Sequence, residues 1–177
     1  MKNKKIVSLI LSIAIMCTMV TAFGVTASAT AGTVPIQIDN FATLKSTIES
    51  ATEPIEIDIT KDISGGDVIY VNNGKDITIN LKSHTVECRF VSDHEKPSTL
   101  TINGNGTIKG ITSYFYCFDF WQGSTLIANN VKIIGGDATG ENEEGNCGID
   151  INNATAKLTN CYVASGKSTG TAENTLA

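Results

Sequence analysis

The chain has 177 residues, 13 of them Lys or Arg against 18 Asp or Glu, for a formal charge of −5. An acidic balance with a single arginine, Arg89, excludes the basic surface that a nucleic-acid binder needs for phosphate contacts. Hydrophobic residues make up 41% of the chain, which is enough for a packed core and argues against a disordered polymer.

Residues 1–29 read as a secretory signal peptide. Lys2, Lys4 and Lys5 precede an apolar run from Ile6 to Val25 that ends in small residues. Cleavage after Ala27-Ser28-Ala29 leaves Thr30 first, and cleavage after Ala29-Thr30-Ala31 leaves Gly32 first. The competing reading is a retained anchor, since about 20 apolar residues span a bilayer; Ser8, Ser12, Thr18 and Thr21 dilute the run. Cys17 follows bulky Met16 in mid-run and is no lipidation site. Loss of the leader removes three lysines and no acids, moving the charge from −5 to −8. No second apolar run of spanning length occurs, so the expected product is secreted or associated with the cell surface, without stable membrane insertion. What remains suffices for one core and hardly for two.

Residues 30–38 read as a linker. In 39–51, DNFATLKSTIESA, the spacing of Phe41, Leu44 and Ile48 with Asn40 as N-cap predicts a short amphipathic helix, placed to plug the open end of a repeat array that begins at residue 52.

From 52 to 166 the chain repeats itself. Ile55, Ile57 and Ile59 are answered by Ile77, Ile79 and Leu81, an offset of 22. Thr85-Val86 are answered by Thr107-Ile108, again at 22, while Ile77 and Ile79 are answered by Leu100 and Ile102 at 23. Leu100 and Ile102 recur as Leu126 and Ala128 at 26. CFDFWQGSTLIANNVKIIGG at 117–136 recurs as CGIDINNATAKLTNCYVASG at 147–166, 30 to 31 residues on. Each unit has short alternating apolar runs punctuated by Gly, Asn and Asp, the signature of short strands between tight turns. A period near 22 with no helical stripe predicts a solenoid of three short strands per coil, with five or six coils. The later growth of the period is loop insertion, most plainly GGDATGENEEG at 135–145. Asn130 and Asn160 occupy equivalent turn positions, where a left-handed residue is needed and stacked amides can bond along the axis. Residues 167–177 form a polar tail without a second capping helix, so the last coil is expected to be open, to a partner or because the chain is a truncated product.

In these repeats the chain resembles the pectate-lyase-like right-handed parallel β-helix superfamily. It is closer still to the leading coils of adhesin-like surface proteins of Gram-positive bacteria, in which a capping helix precedes units like ITINLKSHTV and LTINGNGTIKG. The resemblance covers residues 39–166 and implies an all-β, single-stranded right-handed parallel β-helix with a short N-terminal capping α-helix. That superfamily includes polysaccharide lyases, galacturonan hydrolases and non-enzymatic surface rods, so the site residues decide.

A lyase-type site needs carboxylates around Ca²⁺ and a basic residue, usually arginine. Arg89, in VECRFV, lacks the family's arginine motifs and reads as a solvated strand residue. The Asn-Thr-Asp, Asp-Asp, Gly-His-Gly and Arg-Ile-Lys motifs of the hydrolases are absent. Asp119 and Asp150 fall one coil apart on matching strands, both expected to point outward into solvent. Asp137, Glu141, Glu143 and Glu144 lack calcium-loop spacing and read as a solvated charge run. If a Ca²⁺ is held, Asp137, Glu141 and Asp150 are the ligands the sequence offers. His84 and His94 have no zinc-ligand neighbours. Cys88, Cys117, Cys147 and Cys161 lie in or beside strand-like runs, which leaves disulfides and buried thiols equally open.

The densest apolar stretch is YFYCFDFW at 114–121. Alternation places Phe115, Asp119 and Trp121 on the face opposite Phe118 and Phe120, as an aromatic and carboxylate surface for a polysaccharide or host glycan, with the tryptophan N–H available to it. The bland reading, a strand covered on both sides, is the commoner arrangement in monomers. The residues together favour a non-catalytic module for surface adhesion or glycan contact, needing no cofactor. The alternative is a polysaccharide lyase or hydrolase, or a fragment of a larger surface protein.

Overall fold

A computed structural model describes residues 34–72, 74–92, 95–112, 116–138 and 147–167. Fourteen strands in these segments form three wholly parallel sheets. Sheet A stacks β1 (Ile36–Ile38), β2 (Ile55–Ile59), β4 (Asp76–Asn80), β7 (Thr99–Asn103), β10 (Thr125–Asn129) and β13 (Thr155–Thr159). Sheet B stacks β5 (Thr85–Glu87), β8 (Thr107–Lys109), β11 (Lys132–Ile134) and β14 (Tyr162–Ala164). Sheet C stacks β3 (Val68–Val71), β6 (Arg89–Ser92), β9 (Tyr116–Trp121) and β12 (Cys147–Asn152). The chain visits A, B and C in turn, so every sheet neighbour is one coil away in sequence. In the first coil a single bridge, Ile63 to Val86, stands in for the sheet B strand.

The register is the one the repeat spacing predicts. Ile57 pairs with Ile79, Ile79 with Ile102, Ile102 with Ala128 and Ala128 with Leu158. Strand alternation turns these residues inward, and the first four are at most 1% exposed. In sheet C the inward column carries Phe90 stacked on Phe118 at 5.5 Å, with Phe120 edge-on to Phe118 at 6.2 Å. Such aromatic pairs add about 0.5–1.5 kcal/mol beyond the area they bury.

The later growth of the period falls at one corner. From sheet B to sheet C the chain passes through Cys88 alone, then residues 110–115, then residues 135–146, while the A-to-B corners stay short. At those short corners Gly104, Asn130 and Asn160 have φ of 103°, 57° and 51°, and Asn160 Nδ2 donates to Asn130 Oδ1 at 2.7 Å. Both parts of the expectation for the two asparagines therefore hold.

Helix α1 (Phe41–Glu49) lies inside the expected 39–51, with Asn40 accepting from Thr43 N–H as its N-cap. Leu44 and Ile48 are fully buried. The helix takes the place of a strand at the edge of sheet C: Glu49 Oε1 accepts from Tyr70 N–H at 3.1 Å, and Lys45 Nζ donates to Val68 O at 2.7 Å. Side-chain charges thus satisfy backbone groups that an edge strand leaves open. One boundary needs correction. Residues 30–38 read as linker in the sequence, but Ile36–Ile38 pairs in register with Ile57–Ile59 as β1. Three residues are too few for alternation to register in a sequence, and pairing across the coil supplies what local pattern does not.

At the other end β12, β13 and β14 are the last strands of their sheets. Every residue of β13 is exposed, and Leu158, Val163 and Tyr162 are 43%, 44% and 59% exposed. No described residue covers this edge.

Candidate functional site

On β9 Phe118 and Phe120 enter the core, which puts Asp119 and Trp121 on the outer face of sheet C, while Cys117 at the corner is buried with the core. Asp119 lies beside Val91 on β6 and Asp150 on β12, and Trp121 beside Asn152. Arg89, two residues before Val91, shares this outer face.

The geometry revises three expectations at once. Arg89 is not solvated: its side chain is 17% exposed and its Nη2 donates to Asp119 Oδ2. Asp119 does not face open water, being 8% exposed. The indole N–H of Trp121 is not free for a sugar, because Trp121 Nε1 donates to Asp119 Oδ1. The backbone below is fixed as well, with Trp121 N–H donating to Ser92 Oγ at 2.7 Å. Alternation alone sends the aspartate outward, but arginine is long enough to fold back over the sheet and cover it, with its stem shielding the carboxylate from water.

Chemically, a carboxylate with one oxygen on a guanidinium and the other on an indole N–H is a charge-assisted brace. Both of its oxygens are engaged by donors from the same wall. Asp150, one coil on, is partly buried on the same column.

The remaining sequence-selected residues do not converge on this face. Asp137 follows β11, paired with Lys109 at 3.4 Å and accepting from Lys167 N–H at 2.9 Å. The Lys167 amide, and then the Lys109 ammonium, hold its carboxyl below the usual range. Glu141 and Phe115 lie outside the described residues, as do Glu143, Glu144 and His94. Among the described residues no three His, Cys, Asp or Glu side chains are grouped to hold a metal ion. No helix among them is long and apolar enough to cross a membrane.

The four cysteines among the described residues are free thiols, with Cys88 and Cys117 buried, Cys161 half-buried and Cys147 exposed. Burial pushes the Cys117 thiol up to about 12 and Cys88 well above its ordinary value, the latter helped by its neighbour Cys117. Cys117 Sγ instead donates to Ile134 O at 2.8 Å, an inert packed thiol.

Sequence reasoning passes over a second regularity. Asn80, Asn103 and Asn129 are in register at the ends of successive sheet A strands. Asn129 Nδ2 donates to Asn103 Oδ1 at 3.0 Å and Asn103 Nδ2 to Asn80 Oδ1 at 3.3 Å. The ladder ends on Asp58, which accepts from Asn80 Nδ2 at 2.9 Å. The signal is present in ITIN, LTIN and LIAN, three units closing on the same residue. No protein-family model matches the chain, and no curated protein or solved structure matches it either.

Proposed function

We propose that the chain is an exported, non-catalytic module of the right-handed parallel β-helix type, pectate-lyase-like in architecture, whose polar exterior contacts glycans at a cell surface. The observation that carries this reading is the double engagement of Asp119, with Arg89 on one oxygen and Trp121 on the other. The place where acid, guanidinium and indole meet is therefore a brace that stiffens the wall. General acid–base work on a sugar needs a carboxylate free to exchange a proton near the bond being broken. The laddered coils fit display: their exterior rows, such as Thr99, Thr101 and Asn103 on β7, alternate with fully buried Leu100 and Ile102 that anchor the wall.

The test is incubation of the exported chain with polyuronates with and without Ca²⁺, alongside glycan-binding measurements. Binding without release of unsaturated or reducing-end product is the expected result, and Ca²⁺-dependent turnover overturns it. Export itself is checked by N-terminal sequencing of the secreted product, which should begin at Thr30 or Gly32.

A further inference from the structure

Away from the Asp119 brace, a chain of shallow depressions runs across the A-to-B corner onto the outer face of sheet B. One of about 250 Å³ includes Asn105, Asn130, Lys132 and Tyr162 in its wall. It shares Lys132 and Tyr162 with a second of about 350 Å³ that reaches Lys109, Lys167 and the Asp137 carboxylate. A third, also about 350 Å³, adjoins the first at Asn105 and extends past Lys82.

Lys132 on β11 is in register with Tyr162 on β14, and its Nζ sits 5.6 Å from the ring centroid. One face of the Tyr162 ring is thereby occupied by a cation. Because β14 is the last strand of sheet B, no described strand lies beyond the other face, and the residue is 59% exposed. Lys109 is spent on Glu87 and Asp137. Lys132 and Lys167, both exposed, make no ion pair among the described residues. Asn130 Oδ1 accepts from Asn160, which leaves the Asn130 NH₂ as a donor on the same wall.

We infer that this groove binds a sulfated saccharide. Resting on the glycan-contact reading, this moves the contact from the residues that sequence selects to a different wall. The open face of Tyr162 takes the apolar face of a pyranose, as aromatic rings do while keeping a polar edge wet. The cations are lysines only, compact point charges with rotatable donors, which suit a sulfate ester whose charge is spread over three terminal oxygens. The fork that would grip a planar carboxylate belongs to Arg89, and that is closed on Asp119. In a chain of charge −5, an aromatic flanked by the Lys132 and Lys167 ammonium groups, with Lys109 facing the one carboxylate of this lining, Asp137, marks this wall out from its surroundings.

The experiment is calorimetric titration of the exported chain with a heparin hexasaccharide, with the same hexasaccharide after desulfation, which keeps its carboxylates, and with inorganic sulfate. The sulfated sugar should bind at least tenfold more tightly than either. Lys132→Gln and Lys167→Gln should each weaken it about three- to tenfold and flatten its salt dependence. Tyr162→Ala should weaken it about tenfold and Tyr162→Phe should restore it. Lys61→Gln, on a lysine paired with Asp39 at the far end, should change nothing. Equal binding of the desulfated sugar, or indifference to all three groove positions, overturns the inference. If neutral glycans bind and heparin does not, only the groove assignment falls; if no saccharide binds, the function proposed above falls with it.

Discussion

Substituting Asp119 by alanine tests whether the sheet C brace is a buried pair or a surface decoration. The change removes one acceptor from Arg89, whose side chain is 17% exposed, and one from the Trp121 indole N–H. An abandoned buried charge costs about 3–5 kcal/mol, and an unsatisfied neutral donor about 1–3. The residual exposure lets water reach part of the guanidinium, so the net loss is about 2–4 kcal/mol. Urea unfolding followed by circular dichroism should show a lower midpoint at unchanged slope. At about 2–4 °C per kcal/mol, a loss in mid-range lowers the melting temperature by roughly 6–12 °C. Replacing both partners, as Arg89→Met with Asp119→Leu, should recover most of the loss, because no orphaned charge remains. A cost below about 1 kcal/mol for Asp119→Ala, the range of exposed ion pairs, would refute the reasoning.

Four further outcomes are expected. A Cβ on Gly110 would lie 2.5 Å from Gly136 N and 3.0 Å from Cys117 Sγ, so Gly110→Ala should destabilise by about 2 kcal/mol or more in the same assay. A maleimide at pH 8 should label Cys147 in the folded chain and leave Cys88 and Cys117 unmodified until urea exposes them, read by mass spectrometry. With both thiols raised in the folded state, their contribution to stability is intact below about pH 9 and is lost as pH climbs towards 12. Asp137 titrates below the ordinary carboxylate range, so the support it gives is present above about pH 4 and disappears as pH falls through its folded value. Asp137→Asn should therefore flatten the acid end of a melting-temperature profile.

The coil register is readable in advance because each inward position must be apolar and each coil must match the one below it. Ile77 answering Ile55 and Asp150 answering Asp119 are the pairs found. The asparagine turns are readable too, since left-handed backbone restricts which residues serve at 130 and 160. Arg89 meeting Asp119 is not, because alternation fixes which face a side chain leaves from and says nothing of where a long one ends. Nor is Tyr162 beside Lys132: its register is implicit in the repeat, but the pairing acquires meaning only once the sheet is seen to stop there. The β1 strand escapes notice for want of length.

The corner between sheets B and C offers a use of its own. Coils close in the same register whether Cys88 alone or residues 135–146 bridge that gap. Closing a longer span adds only about 0.6 kcal/mol per doubling. Foreign peptides grafted between Ala138 and Cys147 would therefore inherit a rigid mount at little thermodynamic expense, making the molecule a scaffold on which recognition can be varied while its walls stay fixed.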